Sequence, residues 1–264
     1  EIASCLVGSE MCIRDSPSSL FFAEGFCLFT QNYSRKDYSM SLYAIADTHL
    51  SFGTDKPMDS FEGWQDYTSR LEKNWNKLVE EDDDVVIAGD ISWAMDFSQL
   101  KADFDFLESL NGNKIILKGN HDYWWNTMAK LNKFLADNNY KTIRFLFNNS
   151  FELGNASICG TRGWMMGCEN EEDIKILNRE VGRLRRSLES AGCPEKIVFL
   201  HYPPVSDISR CDEIINVLKE FGIKKCYYGH LHGDAAKYAV SGVVDGIDYK
   251  LISCDKLKFT PCLI

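Results

Sequence analysis

Five histidines are the whole imidazole complement of this chain, at positions 49, 121, 201, 230 and 232. Each follows, within a few residues, an apolar run that reads as a short buried strand. Asp47-Thr48-His49 closes the run at 41–46, Gly89-Asp90 closes 85–88, and Gly119-Asn120-His121-Asp122 closes 115–117. His201 follows 197–200, and Gly229-His230-Leu231-His232 follows 225–228. A lone histidine is more often structural than a ligand. Five of five at strand ends, in company with Asp47, Asp90 and Asn120, is a different pattern. Strand ends are rigid, and in an open α/β sheet they face one crevice. Several imidazoles and carboxylates gathered there suit first-row divalent metals. The i, i+2 pairs Asp47/His49 and His230/His232 each put two side chains on the same side of an extended backbone. With Asp90 between them, one shared carboxylate could serve two metals, and a two-metal centre of that kind clamps a phosphoryl group and activates a bridging water.

The elements that position these residues alternate. Strand 41–46 is followed by a helix at about 66–81 (Leu71, Trp75, Leu78 and Val79 on one face), and strand 85–88 by a helix carrying Phe97, Leu100, Phe104, Leu107 and Leu110. Strand 114–117 leads through a tight turn, at which Gly119 lets the backbone bend, into a helix with Met128, Leu131 and Leu135. This βαβαβα order predicts parallel strands with right-handed crossovers. Runs at 143–147, 151–153 and 156–160, with Gly154-Asn155 as a turn, predict an antiparallel portion. A helix at about 171–190 follows, whose Arg179, Arg183, Arg185 and Arg186 fall mostly off the apolar stripe and read as a solvated face, with a phosphate-binding patch as the rival reading. The last third repeats strand, helix (about 211–221) and strand, then two or three strands around an Asp245-Gly246 hairpin turn.

Composition narrows the partners. A chain of 264 residues, 45% hydrophobic and 26% charged, has ample material for one large domain. The formal charge of −10 argues against broad binding to nucleic acid or to anionic membranes. No apolar run reaches membrane-spanning length. Ten scattered cysteines without a Cys-x-x-Cys pair read as thiols in a reducing, cytoplasmic compartment. Residues 1–39 lack sustained periodicity, so Met40 is the expected natural start and 1–39 an upstream or non-native leader, with one catalytic domain over 40–264. There is no Cys-x5-Arg loop, Gly-x-Ser-x-Gly elbow or Gly-x4-Gly-Lys-Ser/Thr loop. Asp103-Phe104-Asp105, similar to the start of an aspartyl-phosphate motif, lies in an amphipathic helix and reads as surface charge.

The ordered set Asp-x-His, Gly-Asp, Gly-Asn-His-Asp, His and Gly-His-x-His resembles the calcineurin-like metallophosphoesterase superfamily, closest to its small stand-alone bacterial phosphohydrolases. The blocks span residues 47 to 232. The resemblance implies a four-layer α/β/β/α sandwich with two mixed sheets. It implies two divalent ions (manganese, iron, zinc or nickel), one on Asp47, His49 and His232, the other on Asn120, His201 and His230, with Asp90 bridging. It implies that His121 binds no metal and assists the leaving group, with Asp122 either orienting its imidazole or capping the following helix. The expected reaction is attack by a bridging hydroxide on a small-molecule phosphomonoester or phosphodiester; the alternatives are a nuclease or a catalytically silent interaction module. Among the aromatic residues near the motifs (Trp93, Tyr123, Trp124, Trp125, Trp164 and Tyr202), Tyr123 and Trp164 are candidate substrate contacts, with core packing as the rival role. Arg162 is the candidate phosphate clamp.

Overall fold

The computed structural model describes residues 40–164 and 170–264. The expectation of a leader over 1–39 lies outside the described residues. Eleven strands form two sheets among the described residues. In chain order they are β1 (Leu42–Ile45), β2 (Asp84–Ala88), β3 (Asn113–Leu117), β4 (Ile143–Phe145), β5 (Phe151–Leu153), β6 (Ala156–Thr161), β7 (Glu195–Leu200), β8 (Lys225–Tyr228), β9 (Gly242–Val244), β10 (Ile247–Leu251) and β11 (Cys262–Leu263). The helices are α1 (Tyr67–Leu78), α2 (Phe97–Ser109), α3 (Met128–Asp137), α4 (Glu171–Glu189) and α5 (Asp212–Glu220).

The first sheet has the order β11-β1-β2-β3-β4 and the second β5-β6-β7-β8-β10-β9. β1 to β4 run parallel, as do β6, β7, β8 and β10; the pairs β1/β11, β5/β6 and β9/β10 are antiparallel. The antiparallel portion expected over 143–160 is therefore smaller than the spacing suggests: β4 joins the first sheet in parallel, and only β5/β6 forms the hairpin.

Three apolar cores account for four layers. Val85, Ile87 and Ile116 face Leu71, Trp75, Phe104 and Leu131 of α1 to α3. Val198, Leu200 and Tyr228 face Leu184, Ile214 and Leu218 of α4 and α5. Between the sheets lie Ala44, Val86, Ile115 and Leu117 from one and Ile158, Phe199 and Tyr227 from the other. Strands buried on both faces need continuous apolar sequence, which is why β2 and β3 show no alternation. The result is an α/β/β/α sandwich with helices covering the outer faces.

Helix starts follow local chemistry. Asp96 caps α2 by accepting from the N–H groups of Ser98 (2.9 Å) and Gln99 (3.1 Å). Asn170 caps α4 through Asp173 N–H at 2.8 Å, with three acids in the first turn. One charge departs from expectation. Asp103 on α2 is fully buried, not surface charge. Its carboxylate accepts from the Ser92 hydroxyl and from Phe52 N–H (2.7 Å), tying the chain beyond His49 and the chain beyond Asp90 to one helix.

Candidate metal centre

The carboxyl ends of β1, β2, β3, β7 and β8 deliver the motif residues to one crevice. Parallel register does this: Ile45 lies opposite Ile87, Ala88 opposite Leu117, and Leu200 opposite Tyr228, so each motif begins at nearly the same level. Beyond these ends the chain turns sharply. Asp47, His49, Asp90 and His230 all have positive φ (58°, 43°, 51° and 69°). Non-glycine residues seldom adopt that region, and such strain gathers at functional sites.

The motif glycines are there for space. A Cβ on Gly119 would lie 2.1 Å from both the N and the Oδ1 of Asp90. On Gly229 it would meet Asp47 Oδ2 at 2.8 Å, and on Gly89 it would meet His201 Nδ1 at 2.6 Å. Gly119 is not at positive φ, so its requirement is close approach rather than the bend anticipated from the turn.

Two groups of potential ligand atoms converge. Asp47, His49 and Asp90 offer one atom each within 4.8 Å of one another, and so do Asp90, His201 and His230. Asp90 belongs to both. Its Oδ2 lies 3.8 Å from His49 Nε2, and its Oδ1 lies 3.5 Å from His201 Nε2. His232 stands edge-on to His49 with ring centres 5.3 Å apart, and His230 stands 5.1 Å from His201. Asp47 accepts the His230 N–H at 3.0 and 2.9 Å, which draws the β1 and β8 ends together.

Electrostatics favour a cation. His49 is buried, and neither ring nitrogen has a hydrogen-bond partner. Burial lowers its pKa to about 3, that of His201 to about 3 and that of His230 to about 4, so all three are neutral near pH 7. His201 Nδ1 donates to Ala88 O at 3.1 Å, which leaves Nε2 as a lone pair. That lone pair faces Asn120 Oδ1 at 2.7 Å. Lone pairs crowd here without a proton to share, an arrangement that a cation relieves. Burial and the Asp90 carboxylate hold Asp47 well above the usual carboxylate range, a penalty that positive charge removes. The donor set thus fits divalent metal.

His121 is placed differently. Its side chain is about one-third exposed, and Nε2 lies 4.0 Å from Asp90 Oδ2. Its Nδ1 lies 3.3 Å from the Tyr123 hydroxyl. Asp122 makes no contact of that kind. It is fully buried, and its carboxylate accepts from the N–H groups of Gly119 (2.7 Å), Ile91 (2.9 Å), Asp90 (3.1 Å) and Ser92 (3.3 Å) and from Trp124 Nε1 (3.1 Å). The expectation that Asp122 orients the His121 imidazole is corrected: it clamps the β2 and β3 loops together. Nor does it cap a helix, because α3 begins only at Met128.

Arg162 and Trp164 turn toward α4. The Arg162 guanidinium pairs with buried Glu180 at 3.4 Å and lies 4.5 Å from the Trp164 ring centre. Trp164 donates to Asp173 and packs on Tyr202. Neither lines the cavity beside His121. That cavity, about 650 Å³, is bounded by His49, His121 and His232 together with Met58, Phe61, Trp64 and Trp93. Met58, Phe61 and Trp64 come from a polar loop without periodicity, which is why sequence reasoning passed over them. Trp93 stacks on His49 at 5.0 Å and stands 4.5 Å from His121.

A crevice of parallel strand ends between two facing sheets, built to concentrate imidazole and carboxylate, defines a metal-site protein of the α/β/β/α class. Residues 40–234 match the family model described as calcineurin-like phosphoesterase, and the chain belongs to that family. An uncharacterised protein of Methanocaldococcus jannaschii is 31% identical over 86 residues, covering 31% of this chain and 46% of that protein. The chain thus spans less than half the length of that curated relative. Among solved structures, the phosphopantetheinyl hydrolase of Mycobacterium tuberculosis superposes with a TM-score of 0.50 at 15% identity, over 81% of this chain and 89% of that one. A protein of unknown function from Aquifex aeolicus superposes with a TM-score of 0.47 at 16% identity, over 85% and 95%. No helix among the described residues is long and apolar enough to cross a membrane.

Proposed function

We propose that the protein hydrolyses small-molecule phosphoesters at a pair of divalent metals. Asp47, His49 and His232 hold one, Asn120, His201 and His230 hold the other, and Asp90 serves both. The observation that carries this reading is the pair of ligand clusters meeting at Asp90, one of them containing a buried histidine with both nitrogens unpartnered. Bound there, divalent cations supply the charge that neutralises the ester oxygens and the polarisation that makes water a nucleophile near neutral pH.

The chain's own residues do the remainder. His121 stands at the open side of the crevice, where its imidazole is placed to protonate a departing alkoxide. The Tyr123 hydroxyl steadies the far nitrogen of that ring. Asp122 holds the backbone on which both Asp90 and His121 are mounted. The apolar and aromatic lining of the adjacent cavity suits a compact or flat leaving group. Its rim carries Glu62, Asp234 and Asp255 against a single cation, Lys256. With a net charge of −10, that rim disfavours a long polyanion and supports a small molecule over nucleic acid.

The test is a screen of manganese, iron, zinc and nickel against chromogenic monoesters, diesters and nucleotides, with Asp90→Ala as control. Turnover that depends on added metal and is lost in Asp90→Ala supports the reading. Wild-type turnover by Asp90→Ala refutes the shared-carboxylate site.

A further inference from the structure

A second cavity borders the same strand ends, lined by different residues from the one beside His121. Lys118, Arg162, Ile176, Arg179, Glu180 and Arg183 enclose about 180 Å³. A single water needs roughly 10–15 Å³, so a tetrahedral oxyanion fits here together with part of its hydration shell. The lining holds four cations and one carboxylate, in a protein whose net charge is −10.

That carboxylate is already engaged. Glu180 is fully buried and accepts from the Thr161 hydroxyl (2.5 Å), Arg183 (2.5 Å) and Arg162 (3.4 Å). Two arginines are thereby held in place, and each is further fixed over an aromatic face, Arg162 on Trp164 at 4.5 Å and Arg183 on Phe147 at 4.9 Å. Arg162 Nε is nonetheless buried without a hydrogen-bond partner. Lys118 and Arg179 make no hydrogen bond or ion pair among the described residues. Asp122 also faces Lys118, but its oxygens are committed to five N–H donors. A solvated face behaves differently: on the same helix, Arg185 pairs with Glu220 at 2.7 and 2.6 Å in the open. The expectation of a plain solvated arginine face holds for Arg185 and fails for Arg183.

The cavity adjoins the candidate metal centre through the backbone. Lys118 immediately precedes Gly119-Asn120, and the Arg162 carbonyl accepts the N–H groups of His201 (3.1 Å) and Tyr202 (2.9 Å). Preset arginines with spare N–H groups, joined by an unpaired lysine, are the donor set that recognises phosphate oxygens.

We propose that this cavity is a phosphate site in its own right, separate from the Asp90 clusters. Its ligand is either a second phosphate group carried by the substrate or free inorganic phosphate. The binding site stands without the hydrolase reading; only the choice of a substrate phosphate rests on it.

The test begins with the full chain stripped of metal by chelator and titrated calorimetrically with inorganic phosphate. Arg179→Gln and Lys118→Gln, both at solvent-facing or half-buried positions, are each expected to weaken binding about tenfold or more, as loss of one charge-assisted contact implies. Lys256→Gln, the cation of the other cavity, is expected to bind within about twofold of the wild type. Absence of phosphate binding in the metal-free wild type overturns the proposal, as does wild-type affinity in both Arg179→Gln and Lys118→Gln. A second arm uses the metal-loaded protein and separates the two sources. For a substrate phosphate, Arg179→Gln raises KM for a nucleoside diphosphate about tenfold relative to a chromogenic monoester. For free phosphate, Arg179→Gln relieves inhibition by added phosphate and shifts both KM values alike. Failure of the wild type to turn over any ester defeats the hydrolase reading, while the calorimetric arm still decides the phosphate site.

Discussion

Replacing Asp122 by Asn separates a clamp from a catalytic orienter. The carboxylate serves five donors: Oδ1 accepts from Ile91, Ser92 and the Trp124 indole, and Oδ2 from Asp90 and Gly119. An amide retains one acceptor oxygen. Whichever way it turns, at least two buried N–H groups then face another donor. Each buried donor left unsatisfied costs about 1–3 kcal/mol, so Asp122→Asn is expected to lose about 3 kcal/mol or more. For a domain of this size that lowers Tm by about 6–12 °C. Because Asp90 and Gly119 are among the affected groups, metal affinity falls together with stability. Thermal denaturation with and without metal, and metal content after desalting, measure both. An orienter of His121 would leave stability and metal content near wild type and reduce only kcat. A Tm within about 2 °C of wild type, with metal content unchanged, refutes the clamp.

Other outcomes follow from the same geometry. His121→Gln is expected to retain metal and to slow turnover by about 10²–10⁴-fold, most for esters with poor leaving groups. A plot of log kcat against leaving-group pKa checks this, and equal losses across the series count against proton donation. Chelation is expected to lower Tm, since Asp47 and Asp90 are then left as uncompensated buried neighbours; differential scanning calorimetry measures the drop. Metal affinity is expected to weaken as pH falls. Burial keeps His49, His201 and His230 neutral down to about pH 3–4, so protons compete at the carboxylates instead. Asp47, whose folded pKa is raised, must lose its proton to bind, and log affinity is expected to climb by about one per pH unit below that pKa. Calorimetry in buffers of differing ionisation enthalpy detects the released proton, and a pH-independent affinity rules the coupling out.

The strand ends were legible because burial on both faces demands unbroken apolar runs, and chemistry-bearing residues stand out where those runs stop. Side-chain direction beyond the ends was not legible. Period-two alternation lapses once β6 ends at Thr161, so nothing local shows that Arg162 reaches Glu180 instead of the crevice. The clamping role of Asp122 was not legible because three of its five partners, Asp90, Ile91 and Ser92, come from the β2 loop, about thirty residues away in the chain. Asp103 was recoverable: it falls between Leu100 and Leu107 at steps of three and four on the buried stripe of α2, and its charge outweighed its position. Trp64 and Met58 carry no periodic signal, since their burial is tertiary.

Strain, close glycines and buried charge at this site point in one direction. Four candidate ligands in left-handed backbone are each unfavourable locally, and the Asp47–Asp90 neighbourhood is unfavourable electrostatically. Two features oppose these costs without metal. Asp122 fastens the β2 and β3 loops, and Asp103 fastens Ser92 and Phe52 to α2. Both lie outside the ligand clusters; Asp122 bonds mainly to backbone, and Asp103 accepts from the Phe52 N–H and the Ser92 hydroxyl. The loops that carry the ligands are thus tied by hydrogen bonds from outside the clusters. On that account Asp122 and Asp103, though neither is a candidate ligand, govern metal affinity through the backbone of Asp90 and the chain beyond His49.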